Sequence, residues 1–113
     1  MSANNPTQTE NLRFGLSQQV VEKIQSVFAQ FSQVERVVLY GSRAKGNYRQ
    51  GSDIDLTLYG EGLDQMIVGH IAMQLDDLML PYTFDLSIFQ QIESVDLVEH
   101  IQRVGVVFYE KGA

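Results

Sequence analysis

Apolar positions along the chain change period several times, and each change marks a new element. Val20, Val21, Ile24, Val27, Phe28 and Phe31 recur at three- and four-residue spacing, which is one face of a helix. Ser17 stands just before them, where its hydroxyl can serve as an N-cap. Arg36 to Tyr40 is a short β-rich run and predicts a buried strand. Gly41-Ser42 breaks it, Arg43 to Gly46 suits a single helical turn, and Asn47 to Gly51 reads as a loop. From Ser52 the period becomes two, with Ile54, Leu56 and Leu58 alternating with Asp53, Asp55 and Thr57, and a second strand is expected. Leu63, Met66, Ile67, Ile71, Leu75 and Leu78 then outline a helix over residues 63–78 that cannot outlast Pro81. Tyr82 to Phe89 alternates again, with Phe84, Leu86 and Ile88 opposite Thr83, Asp85 and Ser87. A third helix is predicted from Ser94 to Val104, with Leu97, Val98, Ile101 and Val104 inward, and Val106 to Tyr109 is a last β-prone piece. Helices and strands alternate, which argues for an α/β chain with one central sheet.

Length and composition narrow the function classes. With 113 residues a single domain is expected, preceded by a flexible arm over residues 1–13 in which Asn4, Asn5 and Pro6 break any regular structure, so that the domain occupies 14–113. A 44% hydrophobic share is enough to fill one modest core. The formal charge is −6, from 14 acids against 8 bases, which argues against tight sequence-independent binding to a nucleic-acid backbone. Cysteine is absent, so disulfides, thiolate chemistry and Cys-based zinc sites are excluded. No apolar run reaches the roughly 20 residues of a membrane span, and the polar first residues lack a signal-peptide pattern. A cytoplasmic protein is expected.

The chemistry concentrates in Gly41-Ser42-Arg43-Ala44-Lys45-Gly46 and Ser52-Asp53-Ile54-Asp55-Leu56. Residues two apart on a strand share a face, so Asp53 and Asp55 project together with Cα atoms roughly 6.6 Å apart. Ile54 and Leu56 fix the register, because a one-residue slip would bury both acids. Two unpaired carboxylates repel, and a divalent cation between them removes the repulsion. Magnesium suits such a pair, since it takes a few carboxylates, keeps waters and binds substrate phosphates. Asp85, also in an alternating strand, is the third candidate. If its strand lies beside the first, three carboxylates converge, enough for two metal ions. Gly41 lets backbone N–H groups approach a phosphate, Ser42 can donate from its hydroxyl, and Arg43 and Lys45 can neutralise phosphate charge.

This order of residues resembles the DNA polymerase β-type nucleotidyltransferase superfamily, whose pattern is an apolar residue, Gly-Ser, a spacer of about ten residues, Asp-x-Asp and a later strand Asp. Tyr40, Gly41, Ser42, the spacer 43–52, Asp53, Asp55 and Asp85 stand in those places. Leu39 to Gly46 and Gly51 to Leu56 look like its smallest branch, the minimal nucleotidyltransferases or MNT proteins. The resemblance implies a single mixed β-sheet flanked by helices, the polymerase β-like nucleotidyltransferase fold. It implies a catalytic and metal-binding triad of Asp53, Asp55 and Asp85, with triphosphate held at Gly41-Ser42. It also implies a magnesium-dependent transfer (manganese is possible) of a nucleoside monophosphate, AMP from ATP, to a hydroxyl. MNT proteins commonly pair with a helical HEPN-type protein, and in some toxin–antitoxin pairs the acceptor is a tyrosine of the HEPN toxin. An antitoxin or the catalytic half of such a pair is therefore implied. Alternatives are a small-molecule hydroxyl as acceptor, or a non-catalytic subunit that holds nucleotide or occludes its partner. Direct action on nucleic-acid ends is disfavoured by the acidic charge.

Two rival motifs fail. Gly41-x4-Gly46 imitates a P-loop but continues Asn47-Tyr48 where Lys and Ser or Thr are needed. Asp53-x-Asp55 imitates a calcium loop but has Leu58 where the loop needs Gly and Asp64 where it needs Glu. Arg49 reads as solvated, Tyr48 as a partner contact or loop cap, and Phe108-Tyr109 as core or edge residues. His70 and His100 fall on predicted helices with no spaced second ligand and are expected to be structural.

Overall fold

In the structure, a computed structural model, residues 12–112 are described. The expected arm thus falls outside the described residues apart from Leu12 and Arg13. Arg13 already belongs to the fold: its N–H and C=O exchange hydrogen bonds with Leu16 at 2.8 and 2.7 Å. Phe14 and Gly15 between them both have positive φ, 57° and 77°, as a type I′ turn requires. The turn delivers Leu16, which is fully buried, into the core.

Eight elements follow: α1 (Gln18–Ala29), β1 (Arg36–Tyr40), α2 (Ser42–Lys45), β2 (Ile54–Tyr59), α3 (Gln65–Asp76), β3 (Phe84–Ile88), α4 (Val95–Val104) and β4 (Val106–Glu110), with a 3-10 turn at Phe89–Gln91. Three helices begin with a side-chain cap. Ser17 accepts the N–H of Val20 at 3.2 Å, Asp64 that of Ile67 at 2.9 Å and Ser94 that of Leu97 at 3.2 Å. Such a cap contributes about 1 kcal/mol. Asp64 also explains why α3 is shorter than its apolar pattern: Leu63 packs on the core from outside the helix. β2 begins at Ile54 rather than Ser52, because Ser52 closes the preceding loop. Its N–H donates to Arg49 O at 2.9 Å and its hydroxyl accepts from Arg49 N at 2.8 Å.

The strands form one sheet in the order β3-β2-β1-β4. β1 is antiparallel to both β2 and β4, while β2 and β3 are parallel. The sheet is therefore mixed and flanked by helices, as the alternation and the resemblance implied. Its first face carries Val37, Leu39, Ile54, Leu56 and Leu58, packed with Val21, Ile24, Val27 and Phe28 of α1 and Ile71 and Leu75 of α3. Burial of each such side chain stabilises the fold by about 1.5–3 kcal/mol, and truncating Phe28 to Ala would cost about 3–5 kcal/mol. Phe108 is buried in the same core.

The second face is thinner. Val38 and Tyr40 meet Ile101, Leu97 and Val104 of α4. Along β2 this face changes from aromatic to polar to acidic. Tyr59 stacks on Phe89 with centroids 4.6 Å apart; Thr57 accepts a hydrogen bond from the Ser87 hydroxyl at 2.9 Å; Asp55 follows. The period-two pattern dictates this gradient, since every residue on this face alternates with a core residue on the other.

Candidate active site

The antiparallel pairing of β1 and β2 brings the end of one strand beside the start of the other. Parallel β3 brings its own start to the same place. There Tyr40 is the register partner of Asp55, and Asp55 is the register partner of Asp85. Directly opposed residues point to the same face, so Tyr40, Asp55 and Asp85 form one row across three strands. Strand spacing puts neighbouring backbones in that row about 4.8 Å apart. Asp53 lies two positions before Asp55, just ahead of β2. Because β3 is an edge strand, the row ends at an open margin, where Asp85 is exposed.

Asp55 is the middle member and only partly exposed. Burial raises its pKa above the ordinary carboxylate value, the charges of Asp85 and Asp53 raise it further, and the Arg43 guanidinium pulls it back. The row thus carries a surplus of negative charge. Tyr40 is affected in turn. Burial raises the pKa of its phenol, the nearby Ser87 side chain lowers it, and Asp85 and Asp55 raise it. The donors of the row are carboxylates, hard oxygen ligands of the kind magnesium takes, so donor set and charge both fit a divalent cation. Among the described residues no three Asp, Glu, His or Cys side chains are gathered closely enough to hold a metal ion.

Gly41 adopts φ 78° and ψ −155°, a region essentially restricted to glycine. A Cβ there would also overlap the Asp55 carboxylate and push it aside, so the backbone demands glycine and the side chain opposite favours it. The residue turns the chain directly into α2, whose last backbone bonds run from Lys45 N to Gly41 O at 3.1 Å and from Gly46 N to Ser42 O at 3.0 Å. The N–H groups of Ser42, Arg43 and Ala44 have no acceptor within so short a helix. Gly41's own N–H, expected among the donors facing phosphate, is engaged elsewhere: it donates to His100 Nε2 at 3.2 Å.

Arg43 departs from expectation. It is buried, 3% exposed, and its guanidinium holds the loops together. Nε and Nη2 donate to Ser52 O at 3.1 and 2.9 Å, and Nη1 donates to Phe14 O at 2.7 Å. Tyr48 and Tyr82 rings lie 5.3 and 5.2 Å from its Cζ. Arg43 thus ties the 13–16 turn and the 47–52 loop to α2 rather than facing a phosphate. It reaches the site only through its charge on Asp55. Tyr48 is thereby the wall of an arginine clamp. Lys45 is exposed at the end of α2.

His100 was missed as a member of this neighbourhood. It stands on α4 with its ring edge-on to Tyr40, centroids 6.1 Å apart at 81°. The signal was present: Leu97, His100, Ile101 and Val104 form an i, i+3, i+4, i+7 stripe, so His100 occupies an inward position. A cavity of about 690 Å³ lined by Arg36, Tyr59, Gly60 and Glu110 lies at the opposite end of β1 and β2 and does not touch the acidic row.

Known proteins place this geometry in context. No curated protein matches the chain. Among solved structures, the fold is similar to a toxin–antitoxin crystallised with AMP-PNP, with 20% identity, 81% of this chain and 74% of that chain covered, and a TM-score of 0.67. It is similar also to a chain of the toxin–antitoxin MntA-HepT (19% identity, 83% and 73% covered, TM-score 0.62). A third similar chain comes from the Shewanella oneidensis complex of tri-AMPylated HEPN toxin with MNT antitoxin (19% identity, 83% and 72% covered, TM-score 0.63). At these identities the likeness establishes the fold. The sequence model of the family described as Polymerase beta, Nucleotidyltransferase matches residues 22–113, which span the acidic row, the glycine turn and His100, and the chain belongs to that family.

Proposed function

We propose that this chain transfers a nucleoside monophosphate, AMP from ATP, to a hydroxyl and releases pyrophosphate. The observation that carries the proposal is the shared row of Asp55 and Asp85 beside the Gly41 turn. Asp53, Asp55 and Asp85 would hold the divalent cation, magnesium by their donor chemistry. That cation supplies charge neutralisation for the triphosphate and the developing transition state. The protein's own part is mainly positioning. Ser42 and the N–H groups of the first turn of α2 bind the β- and γ-phosphates, with Lys45 adding long-range positive charge. Asp85, at the open margin, would accept the proton of an incoming hydroxyl.

The open margin of β3 also suits a macromolecular acceptor. The structural neighbours that are MNT antitoxins with HEPN toxins favour a HEPN-type helical protein as partner, with a tyrosine of that protein as acceptor. The decisive experiment incubates the chain with its HEPN-type partner, labelled ATP and magnesium. Label should appear on the partner, and an Asp53→Asn, Asp55→Asn double variant should transfer none. Equal transfer by the double variant would reject the assignment.

A second reading has one observation in its favour. The open margin of β3, which suits a macromolecular acceptor, equally suits a subunit that occludes its partner without transfer. The same double variant separates the two, because an occluding subunit would still suppress the partner's toxicity at normal expression.

A further inference from the structure

We infer that His100 is a positioning residue for the nucleotide-binding turn, acting through the Gly41 amide. The inference rests on the transferase reading for its consequence, not for its geometry. Gly41 N–H donates to His100 Nε2 at 3.2 Å. To accept that bond, Nε2 must be unprotonated, so the ring proton sits on Nδ1. The ring is also fixed by its edge-on contact with Tyr40, the residue before Gly41 and the register partner of Asp55. Helix α4 packs on β1, so one helix holds both the last residue of the strand and the first residue of the turn.

The consequence follows from what Gly41 touches. Its Cα lies against the Asp55 carboxylate so closely that a Cβ would overlap it. A shift of the Gly41 amide therefore moves the backbone that limits where Asp55 can point and where the Ser42 N–H faces. Glycine enters the region of φ 78° and ψ −155° about as readily as its mirror image, so local preference alone does not fix the turn. His100 supplies a tertiary acceptor for its N–H. Partners that orient metal ligands typically change affinity or activity by about 10–100-fold. His100 acts one step further out, on the turn that limits the Asp55 carboxylate, so the low end of that range is expected.

The test uses the full chain and two variants. In His100→Phe the ring's volume remains and the acceptor is lost. In His100→Gln the amide oxygen reaches about the place of Nε2 and restores the acceptor. The Gly41 amide should exchange faster with solvent in His100→Phe, magnesium-ATP should bind roughly tenfold more weakly, and His100→Gln should recover both. Wild-type values in His100→Phe, or equal losses in the two variants, would overturn the inference. The nitrogen chemical shifts of the wild-type ring provide a check independent of folding: a proton on Nε2 would also overturn it. If the wild type transfers no label yet these readouts hold, the transferase reading fails and the positioning role stands.

Discussion

Asp55 and Asp85 are register partners on parallel strands, placed side by side on one face by the backbone itself. Asp55, the more enclosed of the two, holds its proton more tightly than an unfolded aspartate, first because it is buried and then because Asp85 and Asp53 are charged nearby. The sign for stability follows. Below the ordinary aspartate pKa both folded and unfolded chains are protonated at this site and the contribution is fully present. As pH rises past it, the unfolded chain releases the proton first, and stability falls until the folded group has also ionised. Asp55→Asn removes this loss. In chelator at neutral pH the variant should melt at a higher temperature than the wild type, and the difference should vanish on acidification below the ordinary aspartate pKa. Thermal melts from pH 3 to pH 8 would measure it.

Gly41→Ala should be the most damaging small substitution in the turn. The backbone region it occupies costs a side-chain-bearing residue about 1–3 kcal/mol, and the added methyl overlaps the Asp55 carboxylate. Folding stability should drop by about that amount in urea, and transfer should fall at least about tenfold, since 1.4 kcal/mol of misplacement already suffices.

The order of elements was legible because burial has a period: β2 alternates over its whole length, and Ser17 and Ser94 each cap the helix they precede. The juxtaposition of Asp55 and Asp85 was legible only as a condition, since alternation fixes the face of a residue but not which strands are neighbours. Arg43 could not be read. Nothing in the sequence near Gly41 says that Ser52 and Phe14 carbonyls will converge on its guanidinium, because those acceptors come from two separate loops. His100 could have been read and was not. Its place in the Leu97–Val104 stripe points it inward, and an inward polar side chain must find a partner.

The contrast between Arg43 and Lys45 is open to direct test. Arg43→Ala should destabilise the chain by about 2–4 kcal/mol, because it strands two carbonyls and empties a clamp between Tyr48 and Tyr82. Arg43→Lys should recover little of that, since an ammonium cannot reproduce the fork. Lys45→Ala, at an exposed position, should change stability by no more than about 0.5 kcal/mol. It should instead weaken nucleotide binding, more at low ionic strength than at high. Urea unfolding and nucleotide titration at two salt concentrations separate a residue that builds the turn from one that acts through it.

Cation binding should reverse the penalty at Asp55. A ligand that binds only the folded chain at a hundred times its dissociation constant stabilises it by about 2.7 kcal/mol. Magnesium with ATP should therefore raise the melting temperature of the wild type, and chelation should lower it again. The Asp53→Asn, Asp55→Asn variant should begin higher in chelator, for the electrostatic reason above, and gain nothing from the cation. Asp85→Asn should keep part of the shift, because its carboxylate lies at the exposed margin and the inner pair remains. Its transfer rate should nevertheless fall by at least about a hundredfold if the Asp85 carboxylate supplies several kcal/mol to the transition state. A full magnesium shift in the double variant would show that the row is not where the cation binds. A full transfer rate in Asp85→Asn would remove β3 from the chemistry and leave it a purely structural edge.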